Sequence, residues 1–509
     1  MAPTFCNRCG DAVEEERDPI DELAELDDFL ERLRVKRYHL KRKINRFHSP
    51  IVRQLPPDVT STIFEFCLPE FTRKVLSYTK EELSVPLSLG AICSYWRDIA
   101  WSTPSLWTSL VIRIPGKQDS HMATAIVAQE WLARTGQLPL SIRIFSESYN
   151  KTIPALADII SQYSARCSVL DLHIPDHYYE SFHATDNHAP ILKSIRFHCS
   201  ARTLGEKKMN FQLTCPRLER AILSSFPMDE TNIHWDNLTH LNLQSMSIFD
   251  SLLILRKTPR LVFCKVSVLG SSYGARTIGA PVLTSMKSLQ LLISSAFSRD
   301  FLNNIIAPHL EELSLSIPWY PLLEVATSFL RRSTCSLLSF SVFFSCGPLR
   351  IPSHFDEGFN SLLHSMPSLN SLSIQLIHDN PRDLFQLVAN VVSSQSTSFQ
   401  QGLLPNLKTL EFTGKLYLRP GNYFDLYPLP PADNAVHGPF RLLKIDINPL
   451  TRIPEDIISY ISSLVERGIT VNVLCGSKDI LQSSVDYYRS RKESLCRDWT
   501  DNFDSSLFS

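Results

Sequence analysis

Leu310-Glu311-Glu312-Leu313-Ser314-Leu315 holds a word, apolar-x-x-apolar-x-apolar, that returns along most of this chain. It stands at Cys167/Leu170/Leu172, Leu192/Ile195/Phe197, Leu218/Ala221/Leu223 and Leu238/Leu241/Leu243. It follows at Leu261/Cys264/Val266, Met286/Leu289/Leu291 and Leu337/Phe340/Val342. Leu369/Leu372/Ile374, Leu407/Leu410/Phe412 and Leu442/Ile445/Ile447 complete the series. The last two apolar positions of each word alternate, as in a strand with one buried face. A proline often stands just ahead, as Pro190, Pro216, Pro259, Pro308, Pro367 and Pro405 do.

Eleven recurrences, mostly 20–38 residues apart, are what stacked repeats produce. Each unit gives one strand and a return, and stacking buries a seam that no single unit could bury. The expected fold class is α/β: an irregular leucine-rich-repeat solenoid with parallel strands over residues 113–478. A general α/β fold with a parallel sheet is the alternative. The words lack the asparagine ladder of strict repeats, and their spacing lengthens after Leu315, so later units are expected to carry loops or helices on one rim.

Residues between the apolar positions would point away from the core, onto a concave face. Those named as candidate target contacts are Arg196, His198, His240, Asn242, Gln244, Lys265, Glu312, Ser314, Gln375 and Glu411. They are polar and of mixed charge, which suits a protein or peptide and not a phosphate backbone. Ahead of the words, Ser120 to Arg134 reads as a helix with Ala123, Ile126, Val127, Trp131 and Leu132 on one side, and Leu138 to Ile144 as a strand. Behind them, a helix from Pro454 to Arg467, Gly468 and a strand over Ile469 to Leu474 read as a terminal cap, leaving 479–509 as a polar tail.

Leu55-Pro56-Pro57-Asp58-Val59-Thr60-Ser61-Thr62-Ile63-Phe64 has another texture. Pro56 and Pro57 fit the turn before a helix and its first positions, where a missing N–H matters little. Val59, Ile63, Phe66 and Cys67 then share one helical face. A second helical face runs through Leu87, Leu89, Ile92, Cys93, Trp96, Ile99 and Ala100, with Trp101, Leu106 and Trp107 just beyond. A segment of about 60 residues buries this much apolar surface poorly by itself. It is either an ordinary helical subdomain packed on its neighbours or a module that another protein grips.

The order Leu55-Pro56-x-Asp58, then Cys93-x-x-Trp96-x-x-Ile99-Ala100, then Thr103-Pro104-x-Leu106-Trp107 resembles the F-box in the form common in large fungal families. The resemblance covers roughly residues 50–112. It implies a three-helix module that docks on the Skp-type adaptor of an SCF-type (cullin-RING) ubiquitin ligase. The adaptor-contacting residues would be Leu55, Pro56, Val59, Ile63, Phe64, Leu89, Cys93, Trp96, Ile99, Leu106 and Trp107. The repeats are similar to the degenerate leucine-rich repeats that follow F-boxes. Residues 69–85 depart from the family pattern as an insertion, of a length that an exposed loop absorbs readily.

Residues 20–48 carry a heptad through Leu23, Leu26, Leu30, Leu33, Arg37, Leu40, Ile44 and Phe47, a coiled-coil-like seam about 40 Å long. Asp18 to Glu31 is almost wholly acidic, and Arg32 to Arg46 is basic with no acid. Acid first and base last suits the helix dipole. Parallel copies would set like charges together, and antiparallel copies would pair acid with base. Arg37, near the middle, is expected to meet its own copy in an antiparallel pair. The expectation is a weak antiparallel homodimer, a helix folded back on this chain, or a solvated helix leading into the next segment. In the disordered tail of residues 1–19, Cys6-x-x-Cys9 offers two thiolates at a zinc spacing but lacks two further ligands nearby.

A length of 509 residues implies two or three structural units, and 44% hydrophobic with 20% charged residues is ordinary globular composition. A net charge of −1 gives no global reason to expect nucleic acid or membrane as partner. The twelve cysteines are scattered, mostly in apolar runs, and read as small core residues of a reducing compartment, cytoplasm or nucleus. No secretory h-region or run of about 18 apolar residues stands out. There is no phosphate-cradling glycine loop, Gly-x-Ser-x-Gly or His-Glu-x-x-His. The expected function is a non-catalytic substrate receptor without cofactor. Its F-box-like helices would hold the adaptor and its repeats an unknown protein target. A non-ligase scaffold that keeps those helices as a folding cap is the alternative.

Overall fold

The computed structural model describes residues 19–48, 54–70, 77–114, 121–182, 188–199, 211–226, 228, 231–268, 281–293, 298–317, 322–344, 355–378, 404–416, 440–448, 453, 455–475 and 478–491. The Cys6/Cys9 pair with its tail, and residues 492–509, lie outside them. The chain divides into two compact units. The first runs to Ile112 and takes in Met122–Arg143 as well, a stretch that the sequence assigns to the repeat region. The second holds Arg113–His121 and everything from Ile144.

The first unit begins with α1 (Pro19–His48), whose acidic first turn carries Asp21 and Glu22. Each of its residues from Ile20 to Ile44 is exposed, so this helix does not fold back on the described residues of its own chain. Next comes α2 (Pro57–Phe66), with Pro56 at the N-cap and Pro57 opening the helix, as its missing N–H allows. The insertion is not wholly a loose loop. Tyr78 is buried and donates its hydroxyl to the Glu70 carbonyl (2.9 Å), and Thr79 with Glu82 forms a capping box on a single turn, Lys80–Leu83.

Two helices follow where one apolar face was expected: α3 (Val85–Ile92) and α4 (Ser94–Ser102). The break falls at Cys93, which is extended (φ −157°, ψ 167°) and accepts the Trp96 N–H at its Sγ (3.4 Å), capping α4. A 3-10 turn (Pro104–Trp107), β1 (Ser109–Arg113), α5 (His121–Ala133) and β2 (Leu140–Phe145) complete the run. Ala125, Ala128, Trp131 and Leu132 are the buried residues of α5, whereas Ile126 and Val127 are more than half exposed. Trp131 and Leu132 of the expected face are buried, but because this helix is apolar on two sides Ala125 and Ala128 join them inside in place of Ile126 and Val127.

Trp131 belongs to a stack of three indoles. Trp107 sits between Trp101 and Trp131 at centroid distances of 5.3 and 4.8 Å, both edge-on. The Trp107 Nε1–H donates to the Ala100 carbonyl (2.7 Å) and the Trp131 Nε1–H to the Trp107 carbonyl (2.8 Å). The Arg134 guanidinium lies over the Trp101 and Trp107 rings. Trp101 in turn packs against Gly90, where its ring leaves no room for a Cβ.

The second unit opens with α6 (Thr152–Gln162) and β3 (Cys167–Ile174), followed by β4 (Ser194–Cys199), β5 (Phe211–Leu213), β6 (Arg220–Ser224), β7 (Thr231–Ile233) and β8 (His240–Met246). After α7 (Ile248–Arg256) come β9 (Phe263–Val268), β10 (Ser288–Ile293), α8 (Ser298–Asn303), β11 (Glu312–Ile317), α9 (Leu322–Ser333), β12 (Ser339–Phe344) and α10 (Phe355–His364). The last elements are β13 (Ser371–His378), β14 (Thr409–Leu416), β15 (Leu442–Asn448), α11 (Glu455–Glu466), β16 (Thr470–Cys475), β17 (Lys478–Asp479) and a helix over 481–491. β5 and β7 form a small parallel pair. The other strands from β3 onward join one large sheet in chain order, parallel as far as β16, with β17 antiparallel at the end. The unit is therefore α/β with a mostly parallel sheet.

Each recurring word lands on a strand, and the words are in register. Leu289 faces Cys264 on one side and Leu313 on the other, and Leu313 faces Phe340. The last word is shifted: Leu410 pairs with Leu443 and Phe412 with Ile445, so the frame is Phe440/Leu443/Ile445 and not Leu442/Ile445/Ile447. The run from Leu442 to Ile447 alternates equally well in both frames, and buried Phe440 supplies the leading position.

The prolines also find their reason. The Leu310 N–H donates to the Ala307 carbonyl (3.3 Å), which puts Pro308 second in a β-turn, where its fixed φ is already correct. The same turn recurs at Pro190, Pro216, Pro259, Pro367 and Pro405. After it, two successive N–H groups, those of Glu311 and Glu312, donate to one carbonyl of the preceding strand, Lys287 (2.9 Å each). Leu338/Ser339 onto Glu311 and Asn370/Ser371 onto Leu338 repeat this. Each strand is thereby started in register by its predecessor.

Thr334, just past α9, has φ +48° and donates its N–H to the Leu330 carbonyl (3.0 Å). A β-branched residue in the left-handed region is strained, and glycine is the usual residue at this cap. Thr334→Gly is expected to stabilise the unit by up to about 1 kcal/mol, read as a higher urea midpoint. A lower midpoint would contradict this account of the cap.

Candidate protein-binding surfaces

On α2 the apolar residues divide between two duties. Phe64 is buried and packs on Trp96 at a centroid distance of 4.9 Å. Val59 (40% exposed), Ile63 (44%) and Phe66 (85%) lie at helical spacing on a face that no described residue covers. On α3, Leu87 and Ile92 are likewise exposed (42% and 58%). A Glu65–Ser105 hydrogen bond ties α2 to the 3-10 turn.

The eleven residues implied by the family resemblance thus fall into three groups. Pro56, Val59 and Ile63 are exposed; Leu55, Cys93 and Trp96 are partly buried. Phe64, Leu89, Ile99, Leu106 and Trp107 are buried in the unit's own core, where a partner cannot reach them. Phe66, Leu87 and Ile92 join the exposed surface although the motif did not mark them. Their apolar spacing was the available signal, but spacing alone does not say which apolar face is left open.

A second surface is the outward side of the large sheet. Arg196, Asn242, Lys265, Ser314 and Glu411 occupy one row across successive strands, continued through Ile222, Gln290, Ser341 and Ser373. His198, Gln244 and Gln375 fall on the next row, and His240 with Glu312 on a third. None of these ten side chains is buried. The second row also holds Leu292, 46% exposed, and Phe343, apolar positions that a search for polar outward residues passes over.

At the start of the rows stands an ion pair. Arg196 Nη1 lies 3.3 Å from a carboxylate oxygen of Asp171, which is largely buried. Beside this pair, the His173 and His198 rings stack at 3.8 Å, with Phe145 4.4 Å from the other face of His173. Burial first, and the neighbouring His198 second, push the His173 pKa down to about 4. Burial also lowers that of His198. Both histidines are held neutral at pH 7, so the stack presents uncharged aromatic surface.

This has a measurable consequence. Unfolded histidine takes up its proton near pH 6.5, whereas folded His173 resists until about pH 4. As pH falls through that window the unfolded chain binds more protons, so stability present above pH 6.5 is progressively lost. The His173→Phe variant, which keeps an aromatic ring in the stack, is expected to lose less stability between pH 6.5 and 4 than the parent. Parallel pH profiles of the two urea midpoints would contradict this.

Among the described residues no group of three metal-ligating side chains is assembled, and no helix is long and apolar enough to cross a membrane. Compared with models of known families and with curated proteins, the chain matches none.

Proposed function

We propose that this protein is a substrate-recognition subunit of an SCF-type ubiquitin ligase, in which the helical unit holds a Skp-type adaptor and the sheet unit holds a protein target. The observation that carries the reading is the uncovered apolar stripe of Val59, Ile63 and Phe66 beside a core already closed by Phe64 and Trp96. A helix built only to pack on its neighbours would bury that stripe; left open, it is the kind of surface a partner's helices cover. The order of the Leu-Pro-x-Asp, Cys-x-x-Trp and Pro-x-Leu-Trp elements supports the choice of partner.

The in-register strands, each set by its predecessor, support reading the second unit as an irregular leucine-rich-repeat solenoid. Its outward rows mix both charge signs with isolated apolar side chains, as protein-binding surfaces do and phosphate-binding ones do not. In this function the chain transfers nothing itself. It brings a target to a separate catalytic partner.

The test is co-purification of the full chain with the Skp-type adaptor and cullin. A stoichiometric complex is the expected result. Failure of the folded protein to bind the adaptor would leave the non-ligase scaffold, with the helical unit as a folding cap of the repeats.

A further inference from the structure

We propose that α1 pairs with α1 of a second copy of this chain, antiparallel, as a two-stranded coiled coil. The proposal stands apart from the ligase reading and needs only what α1 itself shows. Its seam of Leu23, Leu26, Leu30, Leu33, Leu40 and Ile44 is 44–60% exposed, with a 3-4 spacing that keeps it on one side. Pairing removes this seam from solvent along a helix of 30 residues.

Charge selects both the occupant and its direction. In a parallel pair the flanking positions would set Glu22 beside Asp27 of the other copy and Lys36 beside Lys41, and Arg37 would face Arg37 in the core. Reversing one helix about residue 35 changes every one of these. Leu26 then meets Ile44, Leu30 meets Leu40, and Leu33 meets Arg37. On the flanks Asp27 comes to Lys41.

Arg37 therefore does not face its own copy, as the sequence alone suggests. Its aliphatic stem lies on Leu33 and its guanidinium reaches water. At the centre Arg34 and Lys36 come near their own counterparts, and this repulsion makes the association weak.

The experiment uses the full chain. Sedimentation equilibrium is expected to show the mass rising toward twice that of the chain at high micromolar concentration. Leu30→Glu with Leu33→Glu, both exposed side chains, is expected to hold it at one chain with the urea midpoint unchanged. Zero-length carbodiimide coupling is expected to join Asp27 to Lys41. Within one helix, Asp27 and Lys41 lie about 21 Å apart, so that link arises only between copies.

A charge-swapped pair gives a rescue. Chains carrying Lys41→Glu, and chains carrying Asp27→Lys, are each expected to be monomeric alone and to dimerise when mixed. A monomer at every concentration, a dimer that survives the double glutamate variant, or cross-linked dimers lacking the Asp27–Lys41 link would overturn the proposal.

Discussion

Trp107→Ala is expected to unfold or nearly unfold the helical unit. Truncating a fully buried tryptophan costs about 3–5 kcal/mol through lost burial and the cavity left behind. Trp107 is 1% exposed and is the middle ring of the indole stack, so Trp101 and Trp131 both lose their edge contact. The Ala100 carbonyl loses its donor as well, and a buried acceptor without a partner costs a further ~1–3 kcal/mol. A typical domain has about 5–15 kcal/mol in total. The measurement is the urea transition followed by tryptophan fluorescence, with limited proteolysis. Trp107→Phe, which keeps a ring and removes the indole donor, should fall between parent and alanine. A shift below about 1 kcal/mol for alanine would mean that the stack does not hold the unit together.

The double variant Val59→Glu with Ile63→Glu is expected to do the opposite: leave the fold intact and abolish adaptor binding. Both side chains already meet water (40% and 44% exposed), and exposed substitutions usually shift stability by no more than about 0.5 kcal/mol. Placed inside an interface, each carboxylate would be desolvated without a partner, and central interface positions carry about 2 kcal/mol or more. At least a 100-fold loss of affinity is expected for the pair, about 2.7 kcal/mol. Titration calorimetry against the purified adaptor would measure it. Unchanged affinity would place any adaptor contact away from α2. Unlike Trp107→Ala, this variant should keep its urea midpoint, so loss of binding and loss of fold are told apart.

Much of the strand pattern was legible because parallel strands repeat a short word, and a word repeated with a leading proline is readable one unit at a time. Legibility failed wherever two frames fit equally. Leu442 to Ile447 satisfied the alternation twice over, and only the pairing of Leu443 with Leu410 selects one frame. α5 carries apolar residues on two sides, and only packing keeps Ala125 and Ala128 inside with Trp131 while Ile126 and Val127 stay in solvent. Cys93 read as a member of an apolar face because a thiol is small and hydrophobic. Its action as an N-cap depends on extended backbone that no spacing reveals.

The candidate surfaces were legible in kind more than in membership. The outward polar rows follow from alternation alone, so all ten named positions reach that side of the sheet. On α2, composition marks Phe64 and Ile63 alike as apolar, and only tertiary packing sends one to the interior and leaves the other outside. The His173–His198 stack joins strands that the sequence separates by 25 residues, and no local pattern announces it.

The short β17 has a consequence for the molecule as a whole. A ladder in which every strand templates the next has no intrinsic stopping point, and its last free edge invites strands from other molecules. Here the chain reverses after β16, lays two residues of opposite polarity against Leu474 and Cys475, and anchors the reversal with the Ile480 N–H on the Val473 carbonyl (2.9 Å). The end of the β16 edge is thus occupied by the chain's own return, where a strand of another molecule would otherwise pair.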